Sequence, residues 1–285
     1  MVLIIGCIVV MASVVAGLSL GGGSIMVLAH LSEFVSILGI SLGVMIIASP
    51  VSTLVSILKK TVVALKGGPF KKAAYVEGLE MLYQYFMLAR KEGLLALEGH
   101  LGDIQKSSIA MKYPSFLSNP LAVSFFVDCL RPIVDGRVKP EEMKGIVASE
   151  LKGIHKESHA SVDILHLVGD SFPGIGICAA VLGIILTMGS IADGAEAVGY
   201  KVAAALTGTF LGVFGAYGFI NPLAVLIATN NETEERYYAM MGQAIVSFAN
   251  GMAPLMAVEM ARRTLLSAER PAADELEEQL KNIKK

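Results

Sequence analysis

Four stretches of the chain contain no Asp, Glu, Lys or Arg: residues 1–29, 34–58, 171–192 and 202–231. Each is longer than the roughly 20 residues an α-helix needs to cross about 30 Å of hydrocarbon. The pattern therefore predicts four membrane-spanning helices. The first run is too long, and too poor in basic residues at its start, for a cleaved signal peptide, and reads as an uncleaved first span. A fifth uncharged window, "YYAMMGQAIVSFANGMAPLMAV" (237–258), holds Gln243, Asn250 and Pro254 and reads as a helix packed beside the bundle.

Charge between the spans sets the topology. Residues 59–170 hold 15 of the 23 Lys and Arg, and the tail after Asn231 holds seven more. The link 21–33 holds none, and the link 193–201 holds Lys201 alone. Four spans keep every basic segment on the cytoplasmic side, whereas a fifth would export Arg262, Arg263 and Arg270. Both termini are then cytoplasmic, and spans three and four form a tight hairpin. The expected organisation is 1–58, spans one and two; 59–170, a cytoplasmic helical domain; 171–231, spans three and four; and 232–285, a cytoplasmic C-terminal helical segment. Within 59–170, "AAYVEGLEMLYQYFMLARKEGLLALEGHL" (73–101) shows apolar residues at helical spacing. Residues 139–170 predict a second helix, with Pro140 in its first turn, running toward span three. The charged amphipathic end, "ERPAADELEEQLKNIKK", reads as a solvated terminal helix. The fold class is all-α, a polytopic membrane protein.

Composition agrees. Of 285 residues 54% are hydrophobic and 17% charged, and mean hydropathy is +0.64; soluble chains of this size are rarely so apolar. A net charge of −2 gives no reason for a nucleic-acid partner. Cys7, Cys129 and Cys178 show neither metal nor disulfide spacing and read as small apolar residues. "GLSLGGGSI" is glycine-rich but lacks the GK[ST] of a phosphate loop, and HExxH, CxxC and GxSxG are absent. His155 and His159 stand at i, i+4 with Glu150, Glu157 and Asp163 nearby, a spacing a metal site can use, although a polar helix face explains it better. No enzymatic chemistry, resident metal or cofactor is indicated.

The spans carry a more telling pattern. In span three Pro173, Gly176, Ala180, Gly183, Thr187 and Ser190 recur at steps of three and four, and in span four so do Ala204, Gly208, Gly212, Gly215 and Gly218. Such stripes serve close helix packing or line a narrow hydrated path, for which span three, with its hydroxyls, is the better candidate. Pro173, after a possible cap at Asp170 or Ser171, is expected in the first turn of span three. Pro222 lies inside its run and is expected to free the Gly218 carbonyl and bend the helix. Hinge and static kink are both open readings of the two prolines. The charge-free windows carry no ionisable group of the kind that proton and cation pathways use. Any titrating carboxylate is then expected from another protein, in a hetero-oligomer.

"LVGDSFPGIGICAAVLGIILTMGS", "LTGTFLGVFGAYGFINPLA", "ANGMAPLMAVEMARRTLLSAERP" and "LARKEGLLALE", with the four-span plan and the large loop after span two, resemble the MotA family of bacterial flagellar motor stators. The resemblance spans nearly the whole chain. It implies a protein of the bacterial inner membrane, in a ring of five such chains around two MotB chains. MotB would supply an intramembrane aspartate and an anchor to peptidoglycan, and ion flow would drive the rotor protein FliG. Onto the family's torque residues it maps Arg90 and Glu98, with Glu150 a further candidate; on charge alone all three read as a solvated face. On one helix Arg90 and Glu98 would stand about 12 Å apart and roughly 80° around. The family's proline pair maps onto Pro173 and Pro222, and its pore-side hydroxyl onto Thr209. Two further threonine positions of sodium-type stators fall on Ala180 and Gly208, which lack side-chain oxygen, so the transported ion is expected to be H⁺. The alternatives are a sodium-driven stator, an ExbB/TolQ-type energiser of outer-membrane processes, for which three spans are usual, a stand-alone channel, and a passive scaffold.

Overall fold

The computed structural model describes residues 2–28, 30–189 and 191–283, without the side chains of Met26, Val27 and Asp193. Regular structure among them is helical. In chain order the α-helices are α1 (Val2–Leu20), α2 (Leu31–Ala48), α3 (Val51–Lys66), α4 (Lys72–Glu92), α5 (Glu98–Gly102), α6 (Pro114–Leu117), α7 (Pro120–Val134), α8 (Met143–Met188), α9 (Ala195–Gly215), α10 (Asn221–Ala249), α11 (Pro254–Arg262) and α12 (Ala273–Ile283). A π-helical turn, Ala216–Ile220, joins α9 to α10. The chain forms two compact units, Met1–Gly68 with Glu157–Asn230 and Pro69–Lys156 with Asn231–Lys285, so that the sequence of α8 and of α10 contributes to both.

The first unit contains the apolar parts of four helices long enough to cross a membrane: α1, α2, the run 140–188 and the run 195–249. Their outward faces are hydrocarbon. Ile4, Ile5 and Ile8 on α1 and Ile177, Ile184 and Ile185 on α8 are exposed, as lipid contact requires. Inside, Ile37 packs with Val168, Phe172, Ile175, Ala179 and Ala216, and Ile57 and Ala64 pack with Val162, Leu165, Ala224 and Ile227.

Several expected elements differ in the structure. The second run is not one helix over 34–58. It breaks at Ser49, extended at φ −141°, ψ 143°, before Pro50; proline's ring disfavours the helical region for the residue ahead of it. The helix of span three does not begin near Pro173. A turn over Pro140–Glu142, where the Lys139 N–H donates to Glu142 Oε2 (3.1 Å), leads into α8, which runs through Asp170 and Ser171 with Pro173 inside it. Neither residue caps a helix there, and the Ser171 hydroxyl donates back to the Leu167 carbonyl.

The second unit is a globular helical core. Tyr85, Phe86, Phe125 and Phe126 are fully buried together with Tyr237 and Tyr238, and Phe86 stacks on Phe248 with centroids 4.3 Å apart. Bare glycines let the helices close: a Cβ on Gly242 would meet Val147 at 2.5 Å. The 237–258 window is therefore core of this unit. It is also interrupted, since α10 ends at Ala249, Gly251 turns with φ +85°, and α11 starts at Pro254. The terminal helix is docked as well as solvated, because Leu276 and Leu280 of α12, at i, i+4, are buried in the same core.

Candidate functional site

The two small-residue stripes meet each other. A Cβ on Gly176 of α8 would stand 2.8 Å from the Gly208 carbonyl and 2.9 Å from Gly212 Cα, and one on Gly183 would stand 2.9 Å from Ala205 Cβ. Gly212 faces the Phe172 carbonyl, and Gly215 its ring. α8 and α9 thus approach backbone to backbone, the arrangement small residues permit in lipid. At these positions both stripes serve close helix packing. Thr187, buried, donates its hydroxyl to the Gly183 carbonyl (2.7 Å), and Thr207 donates to Ala203 (3.0 Å). Ser190 lies outside the described residues. Ala180 is buried in the seam, and Thr209 is half-buried on α9.

One side chain enters this seam from α2. Glu33, in its first turn, is 5% exposed, and a Cβ on Gly208 would stand 2.6 Å from Glu33 Oε2. The helix of span two therefore carries an ionisable group, contrary to the expectation from the sequence. A scan that stops at the first charge leaves Glu33 in the link, whereas the helix starts two residues earlier and α9 covers it. Beside it His30, also buried, stands edge-on to Tyr200 of α9 at 5.2 Å between ring centroids.

The two prolines use different local solutions. Pro173 lies within α8 and withholds the N–H that would serve the Gly169 carbonyl four residues back. Asn221, just before Pro222, packs directly on Gly169: a Cβ there would collide with the Asn221 amide, whose Oδ1 is buried. Just before Pro222 stands the π turn, in which the Asn221 N–H reaches back five residues to the Ala216 carbonyl. The wider turn absorbs the residue without an α-helical donor.

In the second unit Arg90, Glu98 and Glu150 are all exposed. Arg90 and Glu98 do not share a helix, because α4 stops at Glu92 and Gly93 takes φ +90°, ψ 163°, open to glycine alone. A short 3₁₀ turn then leads to Glu98 at the start of α5. Glu98 borders a cleft of about 530 Å³ with Leu95, Leu101, Arg131, Asp135 and Arg137. Arg131 donates to the Leu101 carbonyl (3.0 Å), and Arg137 pairs with Asp135 at 3.2 Å. Elsewhere in this unit His155 Nδ1 lies 2.8 Å from Glu235 Oε2, the partner its helix face meets.

Residues 4–93 match the family described as Motility protein A N-terminal, and residues 118–240 match the MotA/TolQ/ExbB proton channel family. The chain is 34% identical to Motility protein A of Escherichia coli, with all of this chain and 96% of that protein aligned. It is 29% identical to chemotaxis protein LafT of Vibrio parahaemolyticus, over 97% of each. Its fold is similar to a chain of C. jejuni MotAB (TM-score 0.75, 22% identity, 93% of this chain and 95% of that one). It is also similar to a chain of the flagellar MotAB stator complex from Bacillus subtilis (TM-score 0.72, 23% identity, 94% and 97%).

Proposed function

Because the chain belongs to the MotA/TolQ/ExbB proton channel family, we infer that it is a stator subunit of the bacterial flagellar motor and not an enzyme. The observation that carries this is the full-length likeness to Motility protein A, at 34% identity. The four candidate spans fit a multi-pass protein of the inner membrane. The basic residues gathered in 59–170 and in the tail support cytoplasmic termini and a cytoplasmic second unit. In this reading five copies ring two MotB chains, MotB contributes an intramembrane aspartate and the peptidoglycan anchor, and protons cross along the membrane helices near Ala180 and Thr209. Pro173 and Pro222 lie where α8 and the α9–α10 run meet around Gly169 and Asn221, a suitable place to couple proton binding to a helix movement. Arg90, Glu98 and Glu150, exposed on the second unit, are the charges offered to FliG. Four candidate spans weigh against the ExbB/TolQ plan.

The test is proton flux in liposomes. The chain assembled with MotB should conduct, while the chain alone should conduct poorly or not at all. Robust proton-selective flux through the lone chain would refute the shared pathway. The driving force is adequate without nucleotide, since one charge crossing 100 mV yields about 2.3 kcal/mol.

A further inference from the structure

We propose that Glu33 is a proton-binding site belonging to this chain itself, in addition to the partner's aspartate, on the path by which protons reach or leave the α8–α9 seam. The proposal rests on the stator reading. Its physical basis is the placement of one carboxylate. Glu33 is 5% exposed, its Oε2 has no hydrogen-bond partner, and that atom points at the bare backbone of Gly208. Gly208 lies thirteen residues into α9, about 20 Å along its axis, so the carboxylate meets α9 far from that helix's start. A buried acid with an unfilled oxygen is costly, and such groups between membrane helices mark ion pathways.

The surroundings favour a proton over a metal ion. From its own flank His30 lies within coulombic reach of the carboxylate. From α9 come Tyr200, in edge contact with the His30 ring, and Lys201 next to it in sequence. From α8 the approach to Gly208 is the Ala180 backbone N, 3.4 Å from the Cβ position. A sodium ion needs several oxygen ligands at once, and the side-chain oxygen that stands against Gly208 is that of one carboxylate. A proton needs that carboxylate alone. Uptake forms one O–H bond at the carboxylate and release breaks it. Gly208 holds the door open: any side chain there must displace Oε2, because a Cβ would stand 2.6 Å from it.

The test uses the full chain assembled with MotB in liposomes, comparing wild type with Glu33→Gln, Glu33→Asp and Gly208→Ala. Proton flux is measured against external pH, and the carboxyl C=O infrared band is followed through the same titration. Glu33→Gln should assemble, lose one titrating carboxyl band and conduct several-fold less. Glu33→Asp should restore part of the flux with a displaced pH profile, and Gly208→Ala should shift the band with Glu33 intact. An unchanged flux–pH profile in Glu33→Gln, or a full set of titrating bands, overturns the proposal. A band that responds to NaCl at fixed pH overturns it in favour of sodium. If Glu33→Gln fails to assemble, the band shift in Gly208→Ala and the profile of Glu33→Asp decide. If the wild-type complex conducts no protons, the stator reading fails while the infrared titration still decides whether Glu33 binds a proton.

Discussion

Glu259 on α11 shows how much one side chain can hold. It accepts from Arg262 at 2.7 and 2.9 Å and from Arg263 at 2.9 Å, while the nearly buried Arg262 also donates to the Pro271 carbonyl. The hydrogen bonds from Arg262 come first in lowering the Glu259 pKa from 4.5 to about 2, with Arg263 adding to them. A depressed carboxyl pKa stabilises the fold above the unfolded value and loses that contribution as pH falls through the folded value. Thermal melts of the second unit in the intact protein should therefore weaken between pH 4.5 and about 2, with a contribution of about 2–3 kcal/mol at neutral pH. Glu259→Gln should melt earlier at neutral pH and show a flatter acid limb; an identical acid limb would assign the arginine contacts no net worth. Arg90 and Glu98 are the opposite case, both exposed, with Glu98 at the edge of the cleft. Charge reversal at either, Arg90→Glu or Glu98→Lys, should leave membrane level and MotB binding intact while reducing motility, and complementary reversals on the rotor should recover part of it. Loss of assembly in the single variants would make them structural. Nothing in the residues themselves marked these two as a site. Their role came from the family resemblance, because an exposed charge leaves no physical signature in a sequence.

At the scale of elements, the α8–α9 seam is the most demanding contact in the first unit. Gly176 and Gly212 face each other's backbone below 3 Å from any added Cβ, so neither neighbour can yield by a rotamer change. Gly176→Val should push the helices apart and cut the yield of MotB-bound complex, whereas Gly174→Ala, where a Cβ meets open space, should be silent; equal yields would show that the seam is loose. The prolines should behave differently. Pro173→Leu supplies an N–H to the Gly169 carbonyl, and Pro222→Leu allows the π turn to relax to α. Both should insert and assemble yet couple poorly, as read by tethered-cell torque at normal flux; wild-type torque in both would leave the prolines as static features. Hydrophobic runs made the spans legible, since a membrane helix is defined by composition over about 20 residues. Breaks set by a single residue were less legible. Pro50 and Gly93 each end a helix that the apolar period carries straight through. α12 docks through Leu276 and Leu280 with Ile283 packed beside them, a short apolar face in so charged a segment. Glu33 was missed for a nonlocal reason: its burial depends on Gly208, which only the fold brings beside it.

For the whole molecule the remaining question is which ion turns it. Sodium must shed water into a cage of oxygens, and the side chains described along the seam supply few. Ala180 has no side-chain oxygen, Gly208 has none, and the hydroxyls of Thr187 and Thr207 are spent on their own helices. Thr209 is half-buried and remains the nearest free hydroxyl in sequence to Gly208. The π turn before Pro222 loosens backbone carbonyls, but it lies eight or more residues further along the run than Gly208. Glu33 adds one carboxylate oxygen at Gly208, which suits a proton and is too little for a hard cation that wants at least about six ligands. Swimming speed in cells driven by this stator should accordingly hold constant as external Na⁺ is replaced by K⁺ at fixed proton-motive force, and should collapse with a protonophore. A protonophore-resistant speed that climbs with Na⁺ would mean that carbonyls of the π turn, Thr209 and Glu33 come together in the assembled ring as the missing cage.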